Sequence, residues 1–136
     1  MKAFLQKIHL LLLPLSWTLL TIILLCLPGS VIPGAGIFAT NNLDKIVHFI
    51  LFGGIVLLWG LYIRKTHSPA LYIRWTLGAT LFSIILGVLL EYVQRYFISN
   101  RTFDPRDILA DTAGAVTMFI ALIVTGHNVS KNKKPL

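Results

Sequence analysis

The sequence predicts an all-α fold, a four-helix transmembrane bundle whose N-terminus and C-terminus both face the cytoplasm. Only 12% of the 136 residues are charged and 56% are hydrophobic, whereas soluble domains carry roughly 25% charged residues. The mean hydropathy is +0.79, and the length allows about four spans of ~20 residues each. Long apolar runs alternate with segments rich in lysine and arginine, which is typical of a multi-pass membrane protein.

The first half of the chain contains two predicted spans. Residues 8–27 form an apolar run that is too long for the core of a signal peptide, and no small-residue cleavage pattern follows it. Residues 27–42 contain prolines and glycines that prevent a regular helix, so we expect a loop there. Asn41 and Asn42 are expected to cap the second span, which covers residues 46–63.

The second half contains two more predicted spans. A short basic connector, residues 64–74, leads to the third span at residues 75–96. The fourth span, residues 105–125, begins behind Asp104 with a proline at its first position. An aspartate caps a helix start, and a proline there loses no needed backbone donor. A basic tail, residues 126–136, follows, and we treat the whole chain as one domain.

The distribution of charge predicts the orientation in the membrane. Eight of the twelve lysines and arginines fall on the side of the two termini. Because positive residues are enriched in cytoplasmic loops, that side is predicted to be cytoplasmic. All five acidic residues fall on the other side, so the two faces carry +8 and −1, in agreement with the net charge of +7. A basic inner face suits contact with anionic lipid, and we expect no nucleic-acid partner.

Residues 91–111 form a densely charged stretch between two apolar runs. A carboxylate as deep in the membrane as Glu91 costs about 2–3 kcal/mol unless it is paired or faces the bundle interior. Gln94 shares its helix face, and Arg95, four residues on, is a candidate partner. The stretch is therefore either part of a site or an internal polar clamp between helices. It contains four acidic residues and three arginines: Glu91, Asp104, Asp107, Asp111, Arg95, Arg101 and Arg106.

Two other pairs have helical spacing. Asp44 and His48 are four residues apart, so Asp44 can fix the tautomer of the histidine. Lys45 is expected to extend towards the membrane surface or to bind a lipid phosphate. Asp107 and Asp111 are also four apart, and we expect them to pair with a nearby arginine unless one is protonated.

The predicted topology places these side chains at one depth, where they can form an outward-opening polar pocket. Several ionisable groups in one place of low dielectric constant are typical of functional sites. One histidine and scattered acids do not form a metal-binding pattern, and the single cysteine excludes a Cys-based zinc site, so we expect no metal and no cofactor. The catalytic candidates are Glu91, His48, Asp44 and Asp107, and the ligand-binding candidates are Lys45, Gln94, Arg101, Arg106 and Asp111.

Two segments, DKIVHFILFG (44–53) and LEYVQRYFISNRTFDPRDILADTAG (90–114), resemble the VanZ-like family of small bacterial membrane proteins, named for a teicoplanin-resistance protein. The similar features are D-K-x-x-H-F, then E-x-x-Q, then an arginine before a helix start of the form D-x-x-x-N/D-x-x-G. Asp111 departs from the family pattern, which often has asparagine there, and this favours a hydrogen-bonding role for Asp111. The resemblance implies a role at the bacterial cell envelope, in the cytoplasmic membrane, and a contribution to glycopeptide resistance.

Three function classes remain open from the sequence. The leading hypothesis is a membrane protein that acts on or binds an envelope lipid, a lipid-linked precursor or a lipoglycopeptide. The alternatives are a non-enzymatic scaffold and a small transporter. The sequence has no G-x-S-x-G and no H-E-x-x-H motif, which removes two hydrolase classes. Whether the protein is an enzyme, and its oligomeric state, are left open by these patterns.

Overall fold

The structure, a computed structural model, describes residues 2–31 and 43–131 and is all-helical over those residues. Each of the four long helices is apolar enough to cross a membrane. At 1.5 Å per residue they are about 36–44 Å long, which exceeds a hydrocarbon thickness of ~30 Å. The predicted four-helix fold is therefore confirmed. The helices are α1 (Lys2–Leu25), α2 (Leu43–Thr66), α3 (Pro69–Phe97) and α4 (Pro105–Lys131), and a short 3-10 turn covers Gly29–Val31.

The helices extend beyond the predicted spans. The connector predicted at 64–74 is mostly helical, because only His67 and Ser68 separate α2 from α3. The predicted basic tail is helical as far as Lys131. Hydropathy marks where lipid ends, whereas a helix continues into the headgroup layer as long as its backbone hydrogen bonds continue. The expected caps Asn41 and Asn42 lie outside the described residues.

Helix α2 lies at the centre of the bundle and packs against α1, α3 and α4. Its side chains Phe52, Ile55 and Val56 are completely buried. This is expected of a helix that is apolar on all sides. Helix α1 packs mainly on α2, with the Trp17 indole donating to the Leu51 carbonyl at 3.0 Å.

The buried face of α3 is polar along most of its length. Its hydroxyl groups donate to carbonyl oxygens, with Thr76 Oγ1 bonded to Tyr72 at 2.7 Å and Thr80 Oγ1 to Thr76 at 2.9 Å. Such bonds within a helix let small polar residues lie inside a membrane bundle. The buried positions on this face are Tyr72, Thr76, Thr80, Ser83, Gly87, Leu90, Glu91 and Gln94.

Successive helices cross in alternate directions, so the C-terminal ends of α1 and α3 meet the N-terminal ends of α2 and α4. The charged stretch at the α3–α4 connection thereby lies beside the first turns of α2. Close contact between α2 and α4 requires Gly114, because a Cβ atom there would overlap the carbonyl oxygen of Phe49. This contact sets how α4 is positioned against α2, and with it which side chains meet.

We expect Gly114→Ala to lower the free energy of unfolding by about 1–3 kcal/mol, because the added methyl forces α2 and α4 apart. Gly78→Ala is the matched control, since a Cβ atom at Gly78 has no neighbour within 4 Å. The control should be neutral or should stabilise by up to ~1 kcal/mol through helix propensity. Denaturant-induced unfolding in detergent micelles measures both, and equal effects would contradict the close packing at Gly114.

Candidate functional site

Seven ionisable side chains from three parts of the chain meet at one end of the bundle, and we call them the polar cluster. The first turns of α2 contribute three, the last turns of α3 contribute one, and the start of α4 contributes three. All five acidic residues of the chain belong to it. The members are Asp44, Lys45, His48, Glu91, Asp104, Asp107 and Asp111.

Lys45 lies among three carboxylates at the edge of the cluster. Its Nζ atom is 2.7 Å from Asp44 Oδ2, 2.7 Å from Asp104 Oδ2 and 3.1 Å from Asp107 Oδ1. The third contact is an ion pair without hydrogen-bond alignment, because Asp107 Oδ1 has no hydrogen-bond partner within the described residues. Lys45 was expected to extend to the membrane surface or hold a lipid phosphate. Instead it joins α2 to the start of α4, because the carboxylates of Asp104 and Asp107 lie within ion-pair distance of its ammonium group.

His48 and Asp111 form a buried pair across the α2–α4 interface. His48 Nδ1 lies 2.8 Å from Asp111 Oδ1, and the two residues are only 4% and 1% exposed. The prediction that Asp44 orients His48 is wrong, because Asp44 bonds to Lys45 while Asp111 approaches from the facing helix. An ionised Asp111 can only accept, so Nδ1 donates and Nε2 is left as the basic nitrogen of a neutral ring. The contact agrees with a hydrogen-bonding role for Asp111.

Gly87 makes room for this pair and was not among the predicted site residues. A Cβ atom at Gly87 would lie 2.7 Å from Asp111 Oδ2 and 3.1 Å from Asp111 Cβ. A signal was present in the sequence, because Gly87 precedes Glu91 by four residues and therefore shares its helix face.

Glu91, the single acidic residue of α3, is only 1% exposed. Its Oε1 atom accepts a hydrogen bond from the backbone N–H of Asp104 at 2.5 Å. Its Oε2 atom is buried and has no hydrogen-bond partner among the described residues. The proposed partner Arg95 is exposed and lies over the rings of Tyr96 and Phe103, at 5.4 and 5.8 Å from their centroids. Glu91 therefore faces the bundle interior while Arg95 points outwards.

Three predicted ligand-binding residues lie around the cluster rather than in it. Gln94 Nε2 donates to the carbonyl of Leu25 at 2.9 Å, and Arg101 Nε donates to that of Leu27 at 3.4 Å. Both bonds satisfy carbonyls that the end of α1 leaves without a helical partner. The Arg106 side chain is exposed. Gln94 thus has a structural bond, whereas most donors of the two guanidinium groups are uncommitted.

Asp104 caps α4 as the sequence predicts. Its Oδ1 atom accepts from the backbone N–H of Arg106 at 2.9 Å, and Pro105 is the first helical residue. The Lys45 ammonium, followed by the Arg106 amide, holds the pKa of Asp104 below its ordinary value of 3.8. Asp104 therefore stabilises the fold in its ionised form.

The polar cluster is closely packed at its inner end. The outward-opening pocket that the sequence predicts at the polar cluster stays a prediction. The open groove that the structure shows lies elsewhere, along the outer face of α1. That groove is lined by His9, Leu12, Leu13, Leu15, Ser16 and Leu19.

The fold and the cluster together define a small multi-pass membrane protein with a conspicuous set of buried charges at one end of a four-helix bundle. A model of the VanZ/LLP1 family matches residues 4–126, which is nearly the whole chain. The protein belongs to the VanZ/LLP1 family, and the resemblance seen in the sequence is confirmed. No curated protein and no solved structure matches the chain significantly.

The His48–Asp111 hydrogen bond predicts an order of stability among variants. Asp111→Ala should lower the free energy of unfolding by about 1–3 kcal/mol, because it leaves a buried imidazole without a partner. Asp111→Asn keeps an acceptor oxygen and should lose less than about 1 kcal/mol. Thermal unfolding in detergent compares the two, and equal losses would show that the hydrogen bond contributes nothing.

The lowered pKa of Asp104 predicts a pH effect at the start of α4. The stabilisation is fully present above the ordinary value of 3.8 and is lost as the pH falls below it. Wild-type protein should therefore lose more stability on acidification through this range than Asp104→Asn, which keeps a capping side chain without a titrating group. Unfolding measured across this pH range tests this, and parallel curves would contradict the pairing with Lys45.

Proposed function

We propose that this VanZ/LLP1 family member binds the phosphate-bearing headgroup of an envelope lipid or lipid-linked precursor at the end of the bundle that holds the polar cluster. The positive-residue count supports placing this end on the outer face of the bacterial cytoplasmic membrane, with both termini inside. Binding of a cell-wall precursor, or of the lipoglycopeptide that targets it, would connect the site to the glycopeptide (teicoplanin) resistance that the family's name suggests.

The observation that carries this proposal is that, in the described part of the chain, the arginines near the cluster have no carboxylate partner. Within the described residues, the ion pairs at this end join carboxylates to Lys45 and His48 and involve no arginine. Although five acids lie close by, Arg95 stacks on aromatic rings and Arg101 uses only its Nε–H, on the Leu27 carbonyl. The other guanidinium donors, including those of the exposed Arg106, are therefore available to an external anion. Guanidinium matches the oxygens of a phosphate group in a bidentate way.

The surroundings favour an amphiphilic ligand over a free phosphate ion. Tyr96 and Phe97, at the end of α3, are 65% and 80% exposed. Aromatic side chains at this level suit the boundary between lipid and water. A ligand with acyl or prenyl chains in the bilayer would present its phosphate to the arginines at the same height.

The buried part of the cluster supplies the acid–base candidates if the bound molecule is also processed. His48 has one ring nitrogen oriented by Asp111, which is the usual way to fix a general base. Glu91 has one carboxylate oxygen without a hydrogen bond in the described part of the chain. Asp44 and Asp107 are bound to Lys45 and support the geometry.

A non-enzymatic scaffold is the second candidate, and the bonds of Lys45 favour it. Lys45 joins α2 to α4, and Gln94 and Arg101 join α3 and the following loop to the end of α1. Polar contacts of this kind hold membrane helices together. A scaffold needs these contacts but needs no free arginine.

The small-transporter alternative has less support from the contacts. Polar residues do extend along the buried face of α3 beyond the cluster. Their hydroxyl groups, however, donate to nearby carbonyls, as at Thr76, Thr80 and Ser83. A conduction path would need polar groups that are open to water or to one another.

The experiment compares Arg101→Ala with Arg74→Ala, which removes an exposed arginine at the opposite end of the bundle. Native mass spectrometry of protein with co-purified lipids should show a phosphate-bearing lipid whose retention falls about tenfold in Arg101→Ala. Arg74→Ala should retain it. Growth on teicoplanin, at matched protein levels, should follow the same order.

Equal lipid retention in the two variants would contradict headgroup binding and favour the scaffold. Arg106→Ala provides a further check, because within the described residues its exposed side chain makes no structural bond whose loss would mimic loss of a ligand. Its lipid retention should fall as in Arg101→Ala.

A further inference from the structure

We infer that the outer part of the polar cluster binds a hard divalent cation, with Ca²⁺ preferred over Mg²⁺, through carboxylate oxygens of Asp44, Asp104 and Asp107. This site is independent of the lipid-binding function proposed above. It also revises the expectation of no metal, which rested on the spacing of residues along the chain.

The three carboxylates are arranged as metal ligands are. One oxygen from each of Asp44, Asp104 and Asp107 lies within 4.8 Å of the other two. Ca²⁺ accepts carboxylate oxygens in flexible geometry, whereas Mg²⁺ requires near-octahedral geometry and loses its water ligands reluctantly. Three carboxylates from separate helix starts therefore suit Ca²⁺ better, and oxygen-only ligands select hard cations over zinc or copper.

The local charge is incompletely balanced. Among the described residues, Lys45 is the only cation that forms ion pairs with the three carboxylates, so two negative charges remain without an ion-pair partner. A divalent ion supplies the missing two charges. Asp44 keeps its Oδ1 atom free of Lys45, whereas Asp104 Oδ1 already accepts from the Arg106 amide and Asp107 Oδ1 lies 3.1 Å from the Lys45 ammonium. The ion therefore shares these oxygens and competes with the ammonium group for them.

A second observation is the location of the unsatisfied oxygens. Among the described residues, the buried side-chain oxygens without a hydrogen bond are Asp44 Oδ1, Glu91 Oε2 and Asp107 Oδ1. They come one each from α2, α3 and α4, and all belong to the polar cluster. Asp107 Oδ1 has the Lys45 ammonium at 3.1 Å, so Asp44 Oδ1 and Glu91 Oε2 are the two that have neither a hydrogen bond nor an ion pair in the described part of the chain. Buried polar atoms without a partner are rare in native proteins and often mark an ion or a water.

Glu91 supports a cation site independently of the three grouped carboxylates, because it is 1% exposed and is not one of them. Its Oε1 atom is bonded to the backbone N–H of the ligand Asp104. Its carboxylate therefore lies directly beside the ligand set. A cation there, directly or through its water ligands, would offset the free energy that an unpaired buried carboxylate costs.

The site is accessible from water. The side chains of Lys45, Asp44 and Asp104 are 20%, 29% and 35% exposed, so an ion can enter without opening the bundle. Because Lys45 already neutralises part of the charge, the affinity should be in the range of extracellular modules, with Kd about 0.1–1 mM.

Calorimetric titration of Ca²⁺ alone into the full-length protein tests the proposal. The protein is held in nanodiscs of phosphatidylcholine, whose headgroups carry no net charge. All five acidic side chains of this chain lie in the polar cluster, so binding beyond that of empty nanodiscs, titrated as the blank, reports on side-chain carboxylates of the cluster. We expect saturable binding of one ion, and Mg²⁺ should bind more weakly.

Variants with opposite expected effects on Ca²⁺ affinity make the test specific. Asp107→Asn and Glu91→Gln, which keep the shape of the side chain, should each weaken Ca²⁺ binding, about tenfold or more for Asp107→Asn. Lys45→Met removes the competing ammonium and should tighten binding by about tenfold. Size-exclusion chromatography and helical circular dichroism confirm that each variant is folded.

The proposal is overturned if folded wild type shows no saturable binding up to about 10 mM, well above the expected Kd. It is also overturned if Asp107→Asn binds Ca²⁺ as wild type does. Should Lys45→Met fail to fold, the two carboxylate variants decide the question by themselves. Arg101→Ala is expected to bind Ca²⁺ normally, so a failure of lipid binding and a failure of cation binding can be told apart.

Discussion

The contact of Lys45 with carboxylates on α4 is the interaction on which the end of the bundle depends. An ammonium group at the start of α2 reaches Asp104 and Asp107 at the start of α4. This places two helix N-termini side by side, where their partial positive charges also favour carboxylates. The inner pair, His48 and Asp111, then forms between the same two helices about one turn deeper.

Charge and close packing act together in this arrangement. Gly114 lets α4 approach the backbone of α2, and Gly87 lets the Asp111 side chain lie against α3. Without these two glycines the acids would still be present but would be held further from their partners. In a medium of low dielectric constant a small separation changes the balance between desolvation and pairing. The glycines are therefore as much a part of the site as the charged residues.

The sequence predicts the architecture well because the determining physics is local. Apolar run lengths and the positions of Lys and Arg indicate four spans, and Asp104 before a proline indicates where α4 begins. The pairing within the cluster was predicted less well. Helical spacing relates residues on one helix, which favoured Asp44 for His48 and Arg95 for Glu91. The actual partners, Asp111 and the Asp104 backbone, come from α4, and their approach is decided by how the helices rotate against each other.

Because helical spacing relates only residues on one helix, the sequence also did not predict that Asp44, Asp104 and Asp107 form one group. Asp44 lies about 60 positions from Asp104 and Asp107, so no short motif connects them. A family model over residues 4–126 shows membership and not geometry. Only the packed bundle brings one carboxylate oxygen from each of the three residues within 4.8 Å of the others.

The order of the partners along the chain has a consequence for biogenesis. Lys45 enters the membrane with α2, long before the ribosome has made the aspartates that it contacts in the finished bundle. Until the hairpin of α3 and α4 is inserted, the available interaction partners of Lys45 are its neighbour Asp44 and the lipid headgroups. The ion pairs between α2 and α4 therefore form only after α4 has been synthesised. A chain that stops short of α4 would leave Lys45 paired with Asp44 alone, without the ion pairs that fix α2 against a neighbouring helix at this end.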